Sequence, residues 1–128
     1  MATNDMRNFV RKLQRRIGAA PQPLEKRMIV GEYEEEVLLQ SVPAEVIEQA
    51  AKRSDEAAQQ NAYIVYMGCP TIRGLAGQLV EMGSLDEPMK VMDLFKPKDV
   101  EKMARTVVEL FNEFNAPTVR EVDAVKKK

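Results

Sequence analysis

Pro70-Thr71-Ile72-Arg73 leads into Leu75-Ala76-Gly77-Gln78-Leu79-Val80-Glu81-Met82-Gly83, and Asp86-Glu87-Pro88 then opens Met89-Lys90-Val91-Met92-Asp93-Leu94-Phe95. Lys96-Pro97-Lys98-Asp99 follows and opens a third block that closes on Phe114. Each block begins or ends on proline or glycine, the residues that punctuate helices. The spacing predicts a short helix over 74–82 stopped by Gly83, and a second over 87–95. The second has Asp86 as N-cap and Pro88 in its first turn, where a missing N–H goes unnoticed. It predicts a long helix over 98–114. Val100, Met103, Ala104, Val107, Val108, Leu110, Phe111 and Phe114 form one broad face of that helix, opposite Glu101, Lys102, Arg105, Glu109 and Glu113. This is the pattern of a compact helical binding unit.

Upstream the punctuation changes. Pro43 starts a helix whose apolar face is Val46, Ile47, Ala50 and Ala51, with Glu45 and Glu48 suited to its positive end. Residues 54–67 read as one further helix, because no turn residue divides them; Gly68 and Pro70 end it. Met28-Ile29-Val30 and Val37-Leu38-Leu39 flank Gly31-Glu32, which predicts a β-hairpin with strands near 26–31 and 34–40. Further back, Met6, Phe9, Val10, Leu13 and Ile17 recur at helical spacing with arginines opposite. Thr3 or Asn4 is placed to cap that helix, Gly18 to stop it, and Ala19-Ala20-Pro21-Gln22-Pro23 to detach it.

The expected class is α+β, mainly α: an N-terminal β-hairpin packed on a bundle of about four helices, with a separate basic N-terminal helix. Residues 1–23 form that helix and its proline-containing linker, 24–115 the core, and 116–128 a charged, disordered tail ending in Lys126-Lys127-Lys128. With 128 residues there is one core, and 45% apolar against 30% charged residues is an ordinary globular balance. No apolar run approaches the roughly 18 residues of a membrane span, and no apolar core of a secretory signal opens the chain. A single cysteine forbids an internal disulfide, which suits a reducing cytoplasm.

The chemistry is sparse. There is no histidine, so the commonest general base and the commonest transition-metal ligand are both missing. Cys69, between Gly68 and Pro70, reads as a small buried side chain at a tight corner, since a nucleophilic thiol needs a base or cation beside it. Glu32, Glu34, Glu35 and Glu36 could be imagined around Mg²⁺, but such a run is usually a solvated surface. Gly74-Leu75-Ala76-Gly77 lacks the lysine and third glycine of phosphate-binding loops; Gly77 is expected to let helices approach. Neither catalysis, cofactor nor metal is expected.

The net charge is only -1, so no global field recruits nucleic acid or membrane. The charges are nonetheless segregated. Residues 1–17 carry Arg7, Arg11, Lys12, Arg15 and Arg16 against Asp5, whereas residues 32–36 carry four glutamates and no base. The basic face would meet phosphates, yet Phe9 is its one aromatic and no base-reading motif is present. A docking helix using Phe9, Val10, Leu13, Arg7 and Arg11 suits these residues better, because an unpartnered apolar stripe marks an interaction site.

From residue 26 to 115 the chain resembles the XkdN-like tail assembly chaperones of long-tailed bacteriophages and phage-derived tail particles. The resemblance lies in element order and corner residues. A charged hairpin runs into Val37-Leu38-Leu39-Gln40-Ser41-Val42-Pro43-Ala44-Glu45, a helix ends near residues 66–70, and a short helix ends in Met82-Gly83. Phe95-Lys96-Pro97-Lys98-Asp99 looks like the family's F-x-P-G-E corner, with Lys98 in place of glycine and Asp99 in place of glutamate. The basic N-terminal helix departs from the family pattern. The resemblance implies a non-enzymatic protein that binds the tape measure protein, helps recruit tail tube subunits, and works in the bacterial cytoplasm. Self-association is a separate candidate contact, and the sequence does not set the oligomeric state. A helix-in-groove contact then belongs between the 87–95 and 98–114 helices, near Met89, Met92, Phe95, Phe111 and Phe114. A helical adaptor for some other bacterial protein is the alternative, ahead of a nucleic-acid binder.

Overall fold

A computed structural model describes residues 2–122. Within them the fold is α+β and mainly helical. Its elements are α1 (Ala2–Ile17), β1 (Glu25–Val30), β2 (Glu35–Gln40), α2 (Ala44–Arg53), α3 (Ala57–Gly68), α4 (Pro70–Glu81), a 3₁₀ helix (Pro88–Leu94) and α5 (Pro97–Phe114). The end of the expected tail, 123–128, lies outside the described residues, and 117–122 carry no regular structure.

The hairpin forms where the apolar runs place it. β1 and β2 are antiparallel, with Glu25 opposite Gln40 and Val30 opposite Glu35. Val30, Val37 and Leu39 face the core. The connection is longer than a Gly31-Glu32 turn: it takes in residues 31–34, and Glu34 adopts φ 55°. At the open end Ser41 donates its N–H to the Leu24 carbonyl at 2.9 Å, and the Leu24 N–H returns to the Ser41 hydroxyl at 3.0 Å. The hairpin is thus closed before the chain enters α2.

The helices pack behind it. α5 supplies Val100, Met103, Ala104, Val107 and Leu110 to the core, joined by Thr106, whose hydroxyl donates to the Lys102 carbonyl and so enters without an unmet polar group. α3 lies along α5 and contributes Ile64 and Val65. Val46 and Ala50 of α2 are buried, while Ala51, expected on that face, is exposed. Gly68 is where backbone meets helix most tightly. A Cβ there would stand 2.9 Å from both Val107 methyls and 3.2 Å from the Gln40 carbonyl. Gly77, expected to serve that purpose, has nothing within 4 Å of such a Cβ.

Four boundaries differ from the sequence expectation. α3 starts at Ala57 and not at 54, since Ser54 is the C-cap of α2. α4 starts at Pro70, four residues before 74, because Pro70 occupies the first turn of a new helix as well as ending the old one. Cys69 is at once the C-cap of α3 and the N-cap of α4. The segment expected as a helix over 87–95 is 3₁₀, and its N-cap is Glu87 with no side-chain cap bond. Asp86 instead meets Lys90 at 3.4 Å, and its carboxyl is held below the usual range by its own backbone N–H and by that ammonium. α1 begins at Ala2, so Thr3 and Asn4 fall inside it. Gly83 stops α4 as expected: at φ 78°, its N–H bonds Val80 O and the Ser84 N–H bonds Leu79 O, the paired closure of a Schellman end.

Candidate functional site

The tip of the hairpin leans over α4 and the 3₁₀ helix, and an apolar cleft of about 430 Å³ lies between them. Val30, Tyr33 and Val37 form its hairpin wall; Leu75, Leu79 and Met82 come from α4 and its end; Val91, Leu94 and Phe95 close the far side. The sequence arranges this directly. Leu75, Leu79 and Met82 follow at intervals of four and three, so α4 presents them along one stripe. Leu75, Leu94 and Met82 remain 43%, 46% and 72% exposed, so the cleft is lined by apolar side chains that the fold leaves in solvent.

Three contacts hold the cleft in this shape. Tyr33 and Phe95 meet edge to face, with centroids 5.7 Å apart and planes at 85°. The Tyr33 hydroxyl donates to the Leu94 carbonyl, tying the hairpin tip to the end of the 3₁₀ helix. On the other side, Thr71 of α4 gives its hydroxyl oxygen to the Leu38 N–H at 3.0 Å, which satisfies a donor on the free edge of β2 and fixes α4 against the sheet. Glu35 and Glu36 stand on the cleft's rim. Arg27 pairs with Glu36 at 2.8 Å, and Glu32, Glu34 and Glu35 have no ion pair among the described residues.

The five residues expected to share a groove do not share one. Met92 is buried in the core, and Met89 and Phe95 are half-buried against it. The 3₁₀ helix packs on α4 and α3, so Met89 and Met92 look toward α3. Phe111 and Phe114 sit at the opposite end of α5, roughly 20 Å along a helix that rises about 1.5 Å per residue. Phe111 is half-buried and Phe114 exposed. Of the five, Phe95 alone lines the large apolar cleft. The other cleft residues were hidden from sequence reasoning because Tyr33 and Leu94 are 61 positions apart and each looks unremarkable alone.

α1 is the second exposed apolar surface. Met6, Phe9, Val10, Leu13 and Ile17 are each between 47% and 85% exposed, and residues 5–22 are in solvent throughout. Arg7 and Arg11 lie on the same helix, the latter donating to Asn8 Oδ1 at 3.4 Å.

Cys69 is fully buried. Burial pushes its thiol up; the Ile72 and Thr71 backbone bonds, the Arg73 charge and the Thr71 hydroxyl pull less strongly the other way. A thiol with its thiolate disfavoured and no access to solvent fits the structural role expected for it. Among the described residues no group of three or more acidic or cysteine side chains could hold a metal ion, the glutamates of the hairpin tip included. No described helix is long and apolar enough to cross a membrane. No family model matches the chain, and neither a curated protein nor a solved structure matches it.

Proposed function

We propose that the chain is a non-catalytic docking protein whose cleft receives an amphipathic helix, and that it serves as a tail assembly chaperone for the tape measure protein of a phage or phage-derived tail particle. The cleft between the hairpin tip, α4 and the 3₁₀ helix carries this reading. Apolar, open and held by Tyr33, it has the character of a groove for apolar side chains spaced three or four residues apart on a partner helix. The resemblance in element order and in the Phe95-Lys96-Pro97-Lys98-Asp99 corner supplies the particular partner.

The physical need is simple. A very long amphipathic helix exposes apolar stripes and associates with its own copies. Many small proteins, each covering a short length, suppress this, and modest affinity per contact lets tail tube subunits displace them in turn. Such work belongs in the cytoplasm of the bacterial host. A helical adaptor for a different protein would use the same cleft, and the exposed stripe of α1 favours it as the second reading.

Co-purification with a phage tape measure protein is the test. The chain should be captured, and Leu75→Asp should abolish capture while leaving the far-ultraviolet circular dichroism unchanged, because Leu75 is half in solvent. Capture that survives both Leu75→Asp and Leu94→Asp would place the partner elsewhere.

A further inference from the structure

Taking the cleft as a helix-docking groove, we infer that in the free protein it is filled by α1 of a second copy, so that two chains exchange N-terminal helices until a partner helix replaces them. Three observations converge on α1 as occupant. The first is shape and chemistry: α1 is an amphipathic helix with an uncovered stripe, and Phe9 and Leu13 stand one turn apart, as side chains entering a cleft of this size must. The second is charge. Residues 1–17 carry Arg7, Arg11, Lys12, Arg15 and Arg16 against Asp5, while the hairpin tip at the cleft carries Glu32, Glu34, Glu35 and Glu36. Only Glu36 is engaged, by Arg27, among the described residues, so the rim has carboxylates to offer a basic helix. The third is the partition of the molecule: within one chain, an unfilled apolar cleft and an uncovered apolar helix coexist.

The exposure of α1 favours the second copy over the helix's own chain. The linker is anchored where Leu24 and Ser41 exchange hydrogen bonds, at the open end of the hairpin. From there residues 5–22 stay in solvent and do not fold back over the cleft beside residues 30–37. A reciprocal exchange with a second molecule closes as a two-fold pair in which each chain gives one helix and receives one. Pairing of α1 with another α1 would bury the same stripes but set two basic helices side by side.

The consequence for the proposed function is competition. α1 covers the cleft in the absence of client, and a client helix that binds better releases the pair into singly loaded chains.

Sedimentation equilibrium of the full chain tests this. The wild type should dimerise, more weakly as salt rises. Leu13→Asp and Leu75→Asp should each weaken dimerisation at least about tenfold; both residues are exposed enough to change without disturbing the core. Mixed together, these two variants should recover a heterodimer, because one keeps its cleft and the other keeps its helix. A Leu75→Asp chain that stays dimeric would mean α1 pairs with α1, and a wild type monomeric across the micromolar range would mean α1 stays with its own chain; either overturns the inference. Capture of the tape measure protein by Leu13→Asp separates the two ideas. Capture without any wild-type dimer leaves the docking function standing and removes the exchange. A dimer that follows the expected pattern without capture does the reverse.

Discussion

Both methyl groups of Val107 lie 2.9 Å from the point where a Cβ on Gly68 would stand. The end of α3 is therefore pressed onto the middle of α5 with no room for a side chain. Gly68→Ala forces either helix to move and should cost about 1–3 kcal/mol, seen as a lower urea midpoint at unchanged slope. Val107→Ala in the same chain vacates the space, so the double variant should be more stable than the two single effects predict together. Gly77→Ala, in open space within α4, should stabilise by up to about 1 kcal/mol by removing backbone freedom from the unfolded chain. Equal losses from both glycines would mean the contact at Gly68 is not the cause.

Cys69 offers a measurement of opening. Its side chain is inaccessible and its thiolate disfavoured, so a thiol reagent should react only through unfolding. The reaction rate should rise with added urea as stability falls. The same burial gives a pH dependence. The folded pKa lies above the ordinary 9.0, so above that pH the unfolded chain releases a proton that the folded chain keeps. Stability is unaffected by this group below pH 9.0 and falls as pH climbs toward the folded value. Cys69→Ala should lose that part of the alkaline decline, and identical slopes for the two chains would count against it.

The Tyr33 hydroxyl bond to Leu94 can be removed without removing the ring. Tyr33→Phe should cost about 1 kcal/mol, since the Phe95 contact survives and water can reach the freed carbonyl. Tyr33→Ala should add a further ~0.5–1.5 kcal/mol from the lost edge-to-face pair. Thermal denaturation of the three chains ranks them; Tyr33→Phe as damaging as Tyr33→Ala would mean the ring contributes nothing.

Arg73 crosses a helix junction. From the first turn of α4 its guanidinium donates to the Tyr66 carbonyl at 2.9 Å and to the Met67 carbonyl, the unpaired acceptors at the end of α3. Its charge also suits the negative end of that helix. Arg73→Met keeps the aliphatic stem and should destabilise by about 1–2 kcal/mol. Arg73→Lys should recover part of this, because both bonds come from the one nitrogen Nη1, which an ammonium can replace, but the lysine stem is shorter. A methionine variant as stable as the wild type would remove the junction role.

Much of the architecture was open to inspection in the residues themselves. Met28-Ile29-Val30 and Val37-Leu38-Leu39 read as a hairpin over a helix because Gly31 sits between them, and the α5 face from Val100 to Leu110 has one period and one interpretation. Pro70 misled because a proline stops one helix and starts another by the same property, its missing N–H. The 3₁₀ turns of residues 88–94 escaped because seven residues are too few for 3.0 and 3.6 residues per turn to diverge. The cleft was least legible. Its walls come from the hairpin tip, α4 and the 3₁₀ helix, and only packing decides that Tyr33 reaches Leu94 while Phe111 stays at the far end of α5.

The junction at Cys69 has an evolutionary corollary. One residue serves as the last of one helix's flanks and the first of the next, leaving no slack between α3 and α4. Adding or deleting a single position there would swing α4 by about 100° about its axis, turning Leu75, Leu79 and Met82 away from the hairpin and pulling Thr71 off Leu38. Natural variation in chain length should therefore accumulate in the connection over residues 31–34 and in 82–87, and the count of residues from Gly68 to Leu79 should hold constant even where their identities drift.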